Sequence, residues 1–454
     1  MKQVSGLKTP ALLQQFQWIL NPVGYMESAV QELPDIFAAQ IVGFGNRLIF
    51  VNDPQAIQYI LTNDRKEFTA PGEINKILTP LVGDTSIFLL SGDRHRRQRQ
   101  LLMPPFHGDR MRTYGQLIAD LSEQAMSQIP ANQVFQARSA TQSISLQVML
   151  QAVFGVQQGK SYDQLQHLTG AMADTFSSPL ASGFLFFPSL QQDWGTWSPW
   201  GKFLQQRQRL DDLLYAEIAD RRAYPDASRT DILSMLMTAK DEAGQPMTDQ
   251  ELRDELVSLL IAGHETTATA MAWALYWIHH LPEVRTKLLA ELDSLNGDLA
   301  DTIANDPMAI ARLPYLSAVC QETLRIYPIA MLTFPRQVQQ PMELLGYSLE
   351  PGTILVGCIY LVHQRPDLYP NPKQFQPQRF LEKKFSGYEF MAFGGGARRC
   401  IGEALALFEM KLALAVILSR YELALAEPRS VRPQRRGVTL APASVKLKMV
   451  GRRK

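Results

Sequence analysis

The spacing of apolar positions changes along the chain, and each change predicts a different kind of element. Ile41-Val42 and Leu48-Ile49-Phe50-Val51 flank a glycine-containing segment, 43–46, which predicts a β-hairpin. Asp53-Pro54 then supplies an N-cap acid and a first-turn proline, opening a helix with Ile57, Ile60 and Leu61 on one face. Residues 109–239 are mostly helical in pattern, with breaks near Pro130, Gly155 and 177–199. Thr248-Asp249-Gln250-Glu251 is a capping box, and it starts the longest predicted helix, which runs to about His280 before Pro282. At 1.5 Å per residue, roughly thirty residues span about 45 Å, the width of a whole domain. Helix continues to about Tyr327. Strand patterns return at 344–349 and 353–361 around Pro351-Gly352, followed by an aperiodic proline-rich stretch, 366–377. A glycine-rich loop, a last helix over 401–419 and a two-stranded tail complete the pattern. No repeat or linker interrupts it. The expected fold is mainly α with small β-sheets, a single domain over 31–454 behind an N-terminal segment, 1–30.

Composition narrows the function. A chain of 454 residues with 46% hydrophobic and 20% charged residues builds a large core, and because no seam or linker divides the pattern the length prior of two to four domains yields to one. Lysine plus arginine is 45 against 44 acids, which excludes an electrostatically driven nucleic-acid binder. Three cysteines, Cys320, Cys358 and Cys400, make no disulfide framework and fit a reducing compartment. The first thirty residues hold no signal-peptide core, and charges at Glu265, Glu409 and Lys411 interrupt the apolar helices. A soluble, cytoplasmic protein without an integral membrane anchor is expected.

Chemistry concentrates in a few places. In 393–402 three glycines, Gly394 to Gly396, precede Arg398, Arg399 and Cys400 at the start of a helix. Positive charge and a helix N-terminus both lower a thiol pKa, so Cys400 is expected to be a thiolate, either nucleophile or metal ligand. Cys320 and Cys358, in a helix and an apolar strand, read as core. Ala262-Gly263-His264-Glu265-Thr266-Thr267 puts an acid and hydroxyls in mid-helix, beside a glycine costing about 1 kcal/mol relative to alanine. That combination predicts a local distortion with a polar task. His264-Glu265 is not a zinc helix, because Ala268 stands where the second histidine belongs. Glu322 and Arg325 are spaced i, i+3, and residues 92–99 form a basic run.

Phe393, Gly396, Arg398, Cys400 and Gly402, with their spacing, resemble the haem-binding signature of the cytochrome P-450 family, the haem-thiolate monooxygenases. The resemblance covers nearly the whole chain. It implies that Cys400 ligates the iron of haem b, that Gly263 opens a groove for O2, and that Glu265 and Thr266 deliver protons. It implies a buried structural triad of Glu322, Arg325 and Arg379, with Gln378 replacing the usual acid. Arg99, Arg336, Arg398 and His95, the last replacing a tryptophan, would hold the haem propionates. Ile261, Ala262, Ile329, Met331, Leu332 and Val438 would line a pocket for a small lipophilic substrate, a fatty acid, terpenoid or similar hydrocarbon. Electrons from NAD(P)H would arrive through a separate ferredoxin or flavodoxin and its reductase, docking where Arg398, Arg399 and Lys411 supply charge. A monomer is expected. The aromatic stretch 184–200 reads as packing, an access channel or a membrane-surface patch. Rival classes are a peroxide-driven peroxygenase, a haem sensor and a dehydrogenase resting on Gly43-Phe44-Gly45; the last lacks the third glycine.

Overall fold

The computed structural model describes residues 2–43, 48–106, 110–155, 159–295 and 299–453. Its axis is the helix Asp249–His280, whose 32 residues extend about 48 Å at 1.5 Å each. The capping box forms: Glu251 N donates to Thr248 Oγ1 at 3.1 Å, and Thr248 N to Glu251 Oε2 at 2.8 Å. The second half of this helix, Thr267 to Tyr276, is buried on every side. Helices Ala137–Phe154, Pro199–Ala223, Pro314–Ile326 and Glu403–Arg420 pack around it. An element apolar all round belongs in the middle of such a bundle.

Beside the bundle lies a five-stranded sheet, in the order Ile36–Ala39, Leu48–Val51, Ile354–Gly357, Arg336–Val338, Phe68–Thr69. Leu48–Val51 runs parallel to Ile354–Gly357, Leu48 opposite Ile354 and Val51 opposite Gly357. That pairing joins strands some three hundred residues apart, so the two halves of the chain form one mainly helical domain. A second sheet sets Lys446–Arg452 between Val134–Gln136 and Tyr421–Leu425. The first thirty residues also enter the main core, through Trp18, Ile19, Tyr25 and Met26. Among the described residues no helix is long and apolar enough to cross a membrane.

Several elements differ from expectation. The first hairpin strand is Ile36–Ala39 rather than Ile41-Val42; its four side chains are all buried, so it lacks the alternation that marks a half-exposed strand. Residues 44–47 of the predicted turn lie outside the described residues. The run 344–349 is not one strand. Met342–Leu344 and Tyr347–Leu349 pair antiparallel about Leu345 and Gly346, both in the left-handed region at φ 54° and 78°. Apolar Leu345 in a turn position hides this hairpin. The strand predicted to reach residue 361 stops at Gly357, and Ile359–His363 is helical. The last helix begins at Glu403, leaving Cys400 in the loop before it.

Candidate active site

Segment 393–402 is a loop pinned from outside. Cys400 N donates to Phe393 O at 3.0 Å, and Ala397 N to Asp64 Oδ2 at 3.0 Å. Gly396 has φ 65°, and a Cβ there would meet Leu61 O at 2.7 Å, so only glycine lets the loop lie this close to the helix Pro54–Thr62. Gly394 and Gly402 differ. A Cβ on either meets no protein atom within 4 Å, and both border an internal cavity of about 460 Å³.

Cys400 opens onto that cavity while protein surrounds its other sides. Burial pushes its thiol pKa up, and the Gly402 N–H, Arg99 and Arg399 pull it down too weakly to compensate. The expectation of a thiolate rested on positive charge and a helix N-terminus; here desolvation outweighs both, and a bound cation is what would hold the sulfur deprotonated. Cys320 and Cys358 are fully buried, with pKa values pushed up to about 12 by desolvation.

Cationic groups gather on one wall. His95, Arg99 and Arg398 all line the cavity. Burial, then Arg398, Arg99 and Arg336, lower the His95 pKa to about 3, so its imidazole is neutral. Burial and then Arg336 bring Arg398 down to about 10. Its guanidinium donates to Ile87 O (2.8 Å), Ala70 O (2.7 Å) and Leu90 O. Arg99 Nη1 donates to Arg399 O at 2.6 Å. Among the described residues no carboxylate pairs with Arg99 or Arg398, an arrangement that asks for an anion. Arg336 stands apart: its guanidinium pairs with Asp64 at 2.5 and 3.1 Å, donates to Phe334 O at 2.8 Å, and does not line the cavity.

The opposite wall is the central helix, where Ile261, Ala262, Gly263, Glu265, Thr266 and Thr267 face the same space. The helix is unbroken here, contrary to the predicted distortion. Thr266 Oγ1 donates to Ala262 O (2.6 Å) and Thr267 Oγ1 to Gly263 O (2.9 Å), absorbing both hydroxyls locally. Glu265 accepts from Arg138, from Gln142 Nε2 at 2.8 Å and from Arg436 Nε at 3.2 Å. Burial acts to raise its pKa, but His264 and the two arginines outweigh it and hold the carboxyl well below the usual range.

The rest of the cavity is mostly apolar. Ile329, Leu332 and Val438 line it with Leu78, Leu81, Val82, Ile87 and Phe88. Met331 does not; it packs in the core, where Tyr360 N donates to its carbonyl at 3.1 Å. Two acids the sequence reading passed over also border it. Glu255 and Glu409 are fully buried, and desolvation pushes both up to about 8. The signal for Glu409 was present, an acid inside an apolar helix, but it was read only as an argument against a membrane span.

Below the site, Arg325 clasps Glu322 with Nε to Oε2 at 2.7 Å and Nη2 to Oε1 at 2.9 Å, and Arg379 Nε reaches Glu322 Oε1 at 3.2 Å. The arginines also bind the carbonyls of His363 (2.6 Å), Pro372 (2.9 Å) and Pro370 (3.2 Å), fastening the aperiodic 366–377 stretch. Of the charges expected to meet a redox partner, Arg398 is buried and Lys411 is partly buried against Ala311 O at 2.7 Å. Arg399 is exposed and paired with Glu403 at 2.7 Å.

The donor set fits a haem: a thiol for the iron, two guanidinium groups and a neutral histidine for two carboxylates, and glycines with open space where the macrocycle would lie. The comparisons agree. A sequence model of the family described as Cytochrome P450 matches residues 10–449. The putative cytochrome P450 135B1 of Mycobacterium tuberculosis (strain H37Rv) is 35% identical over 438 residues, covering 96% of this chain and 89% of the relative. The putative cytochrome P450 138 of the same organism is 32% identical over 439 residues, covering 96% and 93%. In fold, the chain is similar to a retinoic-acid-bound cyanobacterial CYP120A1 (TM-score 0.81, 22% identity, 96% of each chain). It is also similar to the haem domain of cytochrome P450DA (TM-score 0.82, 21% identity, 100% and 98%). With a cysteine and a cationic wall facing one apolar cavity under the central helix, and with relatives matched along almost their whole length, this chain belongs to the cytochrome P450 family of haem monooxygenases.

Proposed function

We propose that the protein inserts one atom of dioxygen into a C–H or C=C bond of a lipophilic molecule such as a fatty acid, terpenoid or similar hydrocarbon. Its electrons would come from NAD(P)H through a separate ferredoxin or flavodoxin. The observation that carries the substrate class is the cavity: its size suits a small ligand, and its walls are mostly aliphatic and aromatic, with the acids Glu255, Glu265 and Glu409 and a few hydroxyls among them. A fold neighbour is described as retinoic acid bound, and retinoic acid is lipophilic.

Haem, when bound, supplies the iron at which dioxygen is reduced and cleaved, and a thiolate ligand favours that cleavage. Arg99, Arg398 and His95 would hold its carboxylates. Thr266 presents the hydroxyl best placed to hold a proton at the cavity wall, its Oγ1 now donating to Ala262 O. Glu265, kept ionised by Arg138 and Arg436, would fix a negative charge and hydrogen-bond acceptor at the cavity wall that orients donors beside Thr266 rather than taking up the proton itself; Arg436 also reaches the exposed Asp174 at 2.7 Å. Apolar walls exclude water from the reacting atoms. Arg399, exposed in the Cys400 loop and paired with Glu403, would offer positive charge for an acidic redox protein. Unpaired cysteines support a cytoplasmic setting.

The test is spectroscopic first. The purified protein, reduced and carbon-monoxide-bound, should show the red-shifted Soret band of thiolate ligation, and Cys400→Ala should abolish it. A lipid panel should then contain a compound that shifts the haem from low to high spin. That compound should be oxygenated with ferredoxin, its reductase and NADPH, and far more slowly with peroxide alone. A normal Soret band in the Cys400→Ala protein would defeat the ligation assignment; turnover only with peroxide would replace the monooxygenase reading with a peroxygenase.

A further inference from the structure

Four residues of the central helix, Glu255, Leu259, Ala262 and Thr266, border the cavity at i, i+4, i+7 and i+11, the spacing of one helix face. Thr266 stands at one end of this stripe. Glu255 stands at the other, about three turns and 16 Å away at 1.5 Å per residue. Neither the haem contacts nor the proton path uses Glu255, and its burial is complete. A carboxyl kept dry in a mostly apolar wall is costly unless its polar atoms are used.

Its two oxygens are used unequally. Oε1 accepts twice, from Ile87 N at 2.7 Å and from Gln98 Nε2 at 3.0 Å. Arg97 Nη1 donates to Gln98 Oε1 at 3.5 Å, which turns the Gln98 amide so that its nitrogen faces Glu255. Oε2 has no partner among the described residues. Desolvation keeps the carboxyl protonated at neutral pH. With both donors on Oε1, that oxygen is the carbonyl, and the proton belongs on Oε2 as a buried O–H donor without an acceptor. The polar neighbours are already committed. Asp254 accepts from Thr85 N at 2.8 Å and Thr85 Oγ1 at 2.7 Å. Ser258 Oγ donates to Asp254 O at 2.7 Å and pairs with Ser86 Oγ at 2.7 Å.

We propose that Glu255 is a specificity-determining residue whose Oε2–H donates to an acceptor oxygen at one end of an uncharged lipophilic substrate, a ketone, ester or alcohol. The assignment rests on the proposed lipophilic substrate and narrows its class. An ionised fatty acid is disfavoured, because Asp254 and Glu251 place negative charge near the same carboxyl. An ammonium is disfavoured because it would ionise Glu255 and bury a pair of charges whose desolvation offsets their attraction. The haem carboxylates have Arg99, Arg398 and His95 to hold them. Anchored at Glu255, the molecule extends along the stripe. Its opposite end, rather than the carbons beside its oxygen, then lies toward Thr266.

The test titrates the full-length, haem-loaded protein with matched pairs and reads binding from the haem spin shift. One pair is a long-chain methyl ketone with the alkane of the same skeleton; the other is a sesquiterpene ketone with its hydrocarbon. In each pair that binds, the ketone should bind about tenfold more tightly, the worth of one buried hydrogen bond. Glu255→Gln, which keeps both an acceptor and a donor, should retain this preference. Glu255→Leu should abolish it by weakening the ketone alone. The parent gives a readout that needs no variant: the infrared carbonyl stretch of the bound ketone should lie below its value in hydrocarbon solvent. An unshifted stretch, equal affinity within the pairs, or a preference that survives in Glu255→Leu overturns the proposal. Equal weakening of ketone and alkane in Glu255→Leu also overturns it, since Glu255 would then only hold the wall. Low haem content in that variant, with no preference in the parent, would give the Oε2–H to a haem carboxylate instead. If no member of either pair moves the spin state, the lipophilic substrate itself is lost, and this assignment with it.

Discussion

Three acids border the cavity, and their surroundings set them to opposite protonation states. Glu265 is ionised because His264, Arg138 and Arg436 outweigh its burial. Glu255 and Glu409 have no cation beside them, and desolvation lifts both to about 8, so they keep their protons at neutral pH. For Glu409 the sign of the linkage is clear. A carboxyl at 4.5 when unfolded and about 8 when folded binds its proton more tightly in the native state. That stabilisation is fully present below pH 4.5 and lost as pH rises through 8. Glu409→Gln, which mimics the protonated acid, should therefore match the parent near pH 5 and exceed its stability by roughly 3–5 kcal/mol at pH 9. Urea unfolding of both proteins between pH 5 and 9 checks this; parallel stability curves would show that Glu409 is ionised in the native state. Residue type alone could not separate the three acids, because what distinguishes them is who sits beside them, and Arg138 and Arg436 come from distant parts of the chain.

Elements were legible where the local signal was strong. The capping box at Thr248 and the Asp53 cap were readable because capping is local chemistry, and Asp53 Oδ1 accepts from Ala56 N at 2.8 Å. Strands shorter than five residues, such as Val134–Gln136, carry too few alternations to stand out and are made by their partners. Gly263 shows how far a motif reading reaches. Sequence and family resemblance gave it the task of opening a groove for dioxygen. The structure adds a steric one: a Cβ there would lie 2.6 Å from Met149 Cε and 2.7 Å from its Sδ, on the helix Ala137–Phe154. Gly263→Val should overpack this helix contact and cost about 1–3 kcal/mol. Met149→Ala in the same protein should return part of that loss, because it removes the arm being struck. Thermal unfolding of the four proteins of the cycle tests this. If the two losses simply add, Met149 is not the obstacle, and the glycine is required for some other reason.

At the scale of the molecule, the chain closes on itself through buried polar links as well as apolar packing. The Glu322, Arg325 and Arg379 cluster was legible through the family resemblance, since the i, i+3 spacing alone suggested only a Glu322–Arg325 pair, and the structure brings all three together. For Arg336 and Met331 the local sequence does not show the neighbours they find, Asp64 and the core around Tyr360, which come from distant parts of the chain. Glu322 is the single carboxylate in its cluster. It accepts from both arginines and from Gln376 N at 2.8 Å, and is fully buried. Removing one member of a buried ionic group leaves the others uncompensated, which costs about 3–5 kcal/mol. Glu322→Gln keeps the shape and discards the charge, leaving two buried guanidinium groups facing each other. The segment of consequence is 366–377, which has no helix or ladder of its own; its Pro370 and Pro372 carbonyls are tied to these arginines, and Tyr369 and Phe375 anchor it by burial. Releasing it should loosen the neighbouring 393–402 loop, where Met391 N is tied to His363 Nε2 at 2.9 Å and His363 O to Arg325. The variant should therefore purify with little haem and be cut by protease within 366–386 before any other region. Cleavage elsewhere first, with haem content intact, would mean that apolar packing alone holds this layer and that the cluster is dispensable to the fold.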